Sequence, residues 1–114
     1  MTKWGWMCQY HENLELAENT DIGAFTYINA KHGVSIGRYA EIGSHCSIYS
    51  WSTIDDKMGK VVIGEGAKIG SHSVVMPGVC IGENAVVGAF CFVNKDVPSG
   101  MLAYGIPVQV IRKL

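Results

Sequence analysis

The chain has 114 residues, a length for one domain, with a formal net charge of −1 and a hydrophobic share of 48%. That balance excludes an electrostatic binder of nucleic acid or anionic membrane, and no apolar run is long enough to span a bilayer. The four cysteines, Cys8, Cys46, Cys80 and Cys91, form no CxxC pair, which excludes a zinc knuckle and points to free, mostly buried thiols in a reducing compartment.

In chain order, residues 1–15 come first and lack any clear period. The opening MTKWGWMCQYHE has no signal-peptide core, so a cytoplasmic location is expected. Trp4, Trp6 and Tyr10 are many aromatics for so short a leader, and they are expected to cap the open end of the domain.

A repeat begins at Leu16. In IGEGAKIGSHSVVMPGVCIG, residues 63–82, an aliphatic residue returns every six positions. Extended along the chain, the frame gives thirteen hexads from Leu16 to Val93, each starting on Leu, Ile or Val, with Gly second in seven of them. The residue two before the next start is mostly small: Ala40, Cys46, Ala67, Ser73, Ala85, Cys91. Six is neither the period of a helix nor a simple strand alternation. It fits a prism wound from short strands, in which each hexad is one side, three hexads close a coil, and coils stack by parallel pairing about 4.8 Å apart. The fold class is therefore all-β, a hexapeptide-repeat parallel β-helix over residues 16–98.

The frame slips twice. The hexad from Ile28 holds eight residues, INAKHGVS, so residues 30–33 bulge at a corner. The hexad from Ile54 holds nine, IDDKMGKVV, so residues 55–60 are expected as an external loop. After Val93, NKDVPSGMLAYGIPVQVIRKL is rich in Pro and Gly, and residues 99–114 are expected as a turn-rich tail leaving the prism. Counting sides cyclically puts the hexads at Ile28, Ile48, Ile69 and Val87 on one side. Their corner residues Ala30, Ser50, Ser71 and Ala89 are all small, which predicts a shallow groove along the rod axis.

Residues 60–113 resemble the C-terminal half of the hexapeptide-repeat acyltransferases, the sugar and amino-sugar acetyltransferases among them. The run IGSHSVVMPGVCIG, the turn VNKDVP and the tail YGIPVQVIR carry the resemblance. It implies a left-handed β-helix, a homotrimer with active sites in the grooves between subunits, and acetyl-CoA as acyl donor with no metal. By match to the family's motifs, Ser71 and Ala89 would contact the pantetheine arm, with Ser50 on the same small column, and Lys95 and Arg112 would meet the CoA phosphates.

One departure matters. The family's O-acetyltransferases carry a general-base histidine just before the external loop, where this chain has Thr53 in SWSTIDD. An alcohol needs a base to attack at neutral pH, whereas an amine needs less help, since its neutral form already attacks a thioester. The absence favours N-acetylation of a nucleotide-linked amino sugar for glycan biosynthesis over O-acetylation of a sugar. His32, in the bulge, ranks first as general base; His45, His72 and no base at all are the alternatives. Lys31, Trp51 and Asp55 flank the same region as sugar contacts, Trp51 as a stacking platform. Two other classes compete with a transferase. A γ-type carbonic anhydrase would need three convergent histidines, and His32, His45 and His72 are expected on different corners. A non-catalytic β-helical scaffold would bind no CoA.

Overall fold

The computed structural model describes residues 1–114. Its strands are two to five residues long and, apart from one two-stranded hairpin, lie on three faces of a parallel β-helix. Side one carries Leu14–Leu16, Val34–Ile36, Val61–Ile63 and Cys80–Ile81, in parallel register. Side two carries Asp21–Ile22, Glu41–Ile42, Lys68–Ile69, Val86–Val87 and Met101–Tyr104. Side three carries Met7–Gln9, Tyr27–Asn29, Ser47–Tyr49, Val74–Val75 and Phe92–Val93. No helix is long and apolar enough to cross a membrane.

The repeat residues point inward. Every hexad start except Leu16 and Ile54 is buried, and the small positions Ala40, Cys46, Ala67, Ser73, Ala85 and Cys91 fill the space beside them. An interior of alternating large and small side chains is what close packing within so narrow a triangle demands. The glycines answer a different need. A Cβ on Gly43 would sit 2.6 Å from the backbone nitrogen of Ser71, and one on Gly70 would sit 2.4 Å from that of Ala89. Each coil at this corner rests directly on the next, and only hydrogen fits between them.

The expected side count fails at Ile54. That residue is 99% exposed and occupies no side. After Ser50 the chain leaves the rod as a hairpin, in which Trp51–Ser52 pairs antiparallel with Lys57–Met58. The Gly59 N–H donates to the Ser50 carbonyl at 2.9 Å and closes the excursion. The loop therefore starts at Trp51, four residues earlier than the spacing implied, and the aliphatic at position 54 falls on the six-residue interval by coincidence. Skipping it moves every later hexad back one side: Ile48 pairs with Val75, and Ile42 with Ile69.

Both ends differ from expectation as well. The leader adds a strand, Met7–Gln9, to side three, with Trp6 buried beneath it and Trp4 largely exposed. The tail does not leave the prism at residue 99. Val97 bridges to Ile81, Met101–Tyr104 continues side two, and Gln109–Lys113 folds back antiparallel on it after a cis Ile106–Pro107 bond. Val97, Ala103 and Val108 are fully buried there, so the tail forms the last coil and seals that end with apolar side chains.

Candidate functional site

The corner between sides two and three is the most regular feature of the surface. Four tripeptides stack there: Gly23-Ala24-Phe25, Gly43-Ser44-His45, Gly70-Ser71-His72 and Gly88-Ala89-Phe90. The small column is thus Ala24, Ser44, Ser71 and Ala89. Ala30 and Ser50, expected in it, lie at the corner between sides three and one and are fully buried. The Ser50 hydroxyl is committed inside the rod, accepting the His32 backbone N–H at 2.9 Å.

Beside the small column runs a ladder of rings. Phe25 stacks on His45 with centroids 5.1 Å apart, His45 on His72 at 4.7 Å, and His72 on Phe90 at 4.8 Å. All four residues have φ between 57° and 63°, the left-handed region that L side chains resist. Glycine or asparagine would sit there at lower cost. Ring stacking, worth about 0.5–1.5 kcal/mol per pair, offsets that strain. His45 and His72 therefore share one corner, contrary to the expectation that they stand apart. Beneath the ladder, Thr26 Oγ1 accepts the Cys46 N–H at 3.1 Å and Ser73 Oγ accepts the Cys91 N–H at 3.2 Å. Burial pushes the Cys46 thiol up, so it stays protonated and donates to the Gly70 carbonyl at 3.3 Å.

The corner between sides three and one has the opposite character. It holds the bulge and the root of the hairpin. The bulge presents Lys31 and His32, both exposed, and the hairpin brings Trp51 to them. The His32 ring meets Trp51 edge-on with centroids 6.2 Å apart, and Lys31 Nζ lies 3.9 Å from the Trp51 ring centre. His32, Lys31 and Trp51, three candidates from the sequence, are thus brought together. Asp55 is not: it sits in the hairpin turn with its carboxylate 3.9 Å from Lys57 Nζ. Thr53 lies in the same turn.

Two hollows adjoin this cluster. One, of about 400 Å³, lies on side three against the hairpin and is lined by Tyr10, Tyr27, Tyr49 and Trp51 with Gln9 and Asn29 among them. Burial raises the Tyr27 phenol, which donates to Gln9 Oε1 and accepts from Asn29 Nδ2 at 3.3 Å. The other, of about 530 Å³, is open and polar and includes Glu12, Glu15, Lys31, His32 and Lys60. Sequence reasoning missed Tyr10, Tyr27, Asn29 and Tyr49 as site residues. For Tyr27, Asn29 and Tyr49 the outward alternation on side three was the available signal, and it shows only once the side count is correct; Tyr10, past the end of the leader strand, had none. Lys95 stands exposed at the last turn between sides three and one, and Arg112 on the final strand of side two. Both lie toward the sealed end of the rod, Lys95 at a corner and Arg112 on a face. No group of three or more His, Cys, Asp or Glu side chains is placed to hold a metal ion.

A parallel β-helix of three faces with a six-residue repeat defines a class, and comparison with known proteins narrows it. Residues 60–95 match the family described as bacterial transferase hexapeptide (six repeats). Over that stretch the chain carries this family's repeat. The galactoside O-acetyltransferase of Escherichia coli K12 is 48% identical over 54 residues, which cover 47% of this chain and 27% of that protein. A hexapeptide-repeat acetyltransferase of Vibrio cholerae, crystallised with acetyl coenzyme A, superposes with a TM-score of 0.90 at 27% identity, covering 96% of this chain and 64% of that one. A maltose O-acetyltransferase of Clostridium difficile 630 gives a TM-score of 0.82 at 28% identity, again over 96% and 64%. The chain spans less than half the length of the curated relatives it matches.

Proposed function

We propose that this chain forms an acetyl-CoA-dependent acetyltransferase acting on a sugar. The observation that carries the proposal is the corner of Ser44, Ser71 and Ala89, small and in register, of which Ser71 and Ala89 lie within the stretch that matches the transferase repeat. A thin arm fits such a corner, because no side chain beyond Cβ or Oγ stands in its way. Ser71 and Ala89 flank the pantetheine arm, and Lys95 and Arg112 meet its phosphates as donors to oxyanions. Ser50 has no part in this contact, being enclosed in the rod. The working assembly is a homotrimer in the cytoplasm, in which the ladder corner of one copy faces the hairpin corner of the next.

The acceptor is the amine of an amino sugar, one linked to a nucleotide. Its nitrogen forms the new amide bond to the acetyl carbon as the C–S bond of the thioester breaks, and the proton it loses goes to His32. Support comes from the exposed imidazole of His32 held beside Trp51, and from a hairpin, residues 51–58, that carries no histidine. Backbone N–H groups at the corner stabilise the oxyanion. A sugar hydroxyl is the second reading, favoured by the galactoside and maltose acceptors of the relatives' names.

The test is a titration with acetyl-CoA followed by turnover with paired acceptors. Saturable binding near one per subunit, and a product stable to mild base, are expected; no binding at millimolar acetyl-CoA overturns the transferase reading. A base-labile product would be an ester and would move the acceptor to a hydroxyl. His32→Ala is expected to lower kcat/KM about a hundredfold or more. An unchanged value removes His32 from the mechanism.

A further inference from the structure

The hollow against the hairpin is lined without a single charged side chain. Four rings and two amides line it together with Ser52, Thr53, Ile54 and Met76, a composition that packs on a sugar or a planar base and orients it by hydrogen bonds. One cation reaches its rings from the neighbouring polar hollow, which Lys31 lines. Lys31 Nζ is 3.9 Å from the centre of Trp51 and 5.7 Å from that of Tyr10, and both rings line the hollow.

The lysine is held in place from its backbone. Its N–H donates to Asn29 Oδ1 at 3.1 Å, and its carbonyl accepts from Asn13 Nδ2 at 3.1 Å. Its ammonium has no acidic partner. Arg38 pairs with Glu65, Lys57 with Asp55, Lys60 with Glu15 and Lys68 with Glu41, each within 4.0 Å, while Lys31 meets only π faces. An ammonium between two rings keeps three N–H donors with no acceptor to take them, which suits an incoming oxyanion.

The surroundings give this charge a direction. The open polar hollow on the other side of Lys31 contains Glu12 and Glu15. Glu15 is occupied by Lys60 at 2.9 Å, and Glu12 lies 3.9 Å from His11. An anion entering from that side meets two carboxylates, whereas one lying in the aromatic hollow meets none.

We propose that Lys31 determines acceptor specificity and that the acceptor is an anionic sugar. Its phosphate or carboxylate meets the Lys31 ammonium while its ring or base packs on Trp51, Tyr10 and the tyrosines of side three. The inference rests on the transferase reading for the word acceptor, but the binding it describes needs no acyl donor and is measured without one.

The experiment is calorimetry on the whole chain with four probes: glucosamine, glucosamine 6-phosphate, thymidine diphosphate and glucuronate. The two phosphates separate a nucleotide source from a sugar phosphate, and glucuronate tests a carboxylate. At least one anionic probe is expected to bind more tightly than glucosamine, and more weakly as salt rises. Lys31→Met keeps the stem packed on Trp51 and removes the charge. It is expected to weaken that probe about tenfold, and Lys31→Arg to restore it in large part. Circular dichroism checks that the variants keep the fold. Anionic probes that bind no better than glucosamine, or that bind Lys31→Met as they bind the wild type, overturn the proposal. Acetyl-CoA titrated separately distinguishes the two claims. If it binds while every anion fails, this inference falls and the transferase reading stands. If it fails while a Lys31-dependent anion binds, the reverse holds.

Discussion

The two corners that border side three obey opposite rules. The corner between sides two and three repeats without interruption: glycine, small residue, ring, four times over, each coil resting on the one below. The corner between sides three and one breaks its repeat twice, at the bulge of residues 30–33 and at the hairpin that leaves after Ser50. The regular corner offers a uniform channel, suited to an extended arm whose chemistry is the same for any acceptor. The irregular one gathers His32, Lys31, Trp51 and Tyr10 from distant parts of the chain, a variety that suits the acceptor site proposed there. A solenoid supplies rigidity by repetition and keeps individuality for the places where the repetition fails.

The contrast can be broken experimentally. The largest effect is expected inside the rod. Ile48→Ala, at a fully buried position, should cost about 2–5 kcal/mol in denaturant unfolding, whereas Ile54→Ala on the hairpin should stay within about 0.5 kcal/mol. Equal losses would mean that residue 54 belongs to the core after all. Next comes the channel. Ala89 is exposed, so Ala89→Leu should leave the melting temperature unchanged and weaken acetyl-CoA about tenfold or more by filling the corner. An unaffected affinity would move the arm elsewhere.

The ladder should respond more mildly. His72→Ala removes two stacking contacts and keeps the left-handed backbone, for a loss of about 1–2 kcal/mol, and His72→Asn should lose less because asparagine tolerates that φ. An alanine variant as stable as the wild type would show that the rings do not offset the strain. The smallest effect is a pH dependence. Burial raises the Cys46 thiol above its ordinary value of 9.0, so the unfolded chain loses that proton first. The contribution is fully present below about pH 9 and is lost as pH rises further. Cys8 and Tyr27 are raised too and act in the same direction. Stability should be flat through neutral pH and fall in alkali, with a shallower fall in Cys46→Ala. A decline beginning below pH 8 would contradict this assignment.

The prism itself was legible because its cause is local. One aliphatic residue in six must point inward, and one glycine must sit where coils touch, so the period appears in the letters and the buried starts obey it. Ser71 and Ala89 were likewise legible, and they do share a corner with small neighbours. The column drawn through Ala30 and Ser50 was not correct, because a side was counted at Ile54. The spacing of six is satisfied there, yet the hairpin hydrogen bonds of residues 51–58 take that segment out of the rod. A second signal in the sequence would have prevented the slip: GAF, GSH, GSH and GAF recur with the same order of residue types and mark one corner by themselves.

By itself, then, the sequence determined the repeat, the rod and the identity of its inward residues, since each depends on interactions between a residue and its equivalent one coil away. Which corner each outward residue shares was decided by the tertiary structure alone. A single uncounted excursion rotates every later hexad by one side, and only the pairing of Ile48 with Val75 reveals that it has occurred. The meeting of Tyr10, Lys31 and Trp51 belongs to that second kind: three residues from the leader, the bulge and the hairpin, with no common period, joined by the stacking of coils.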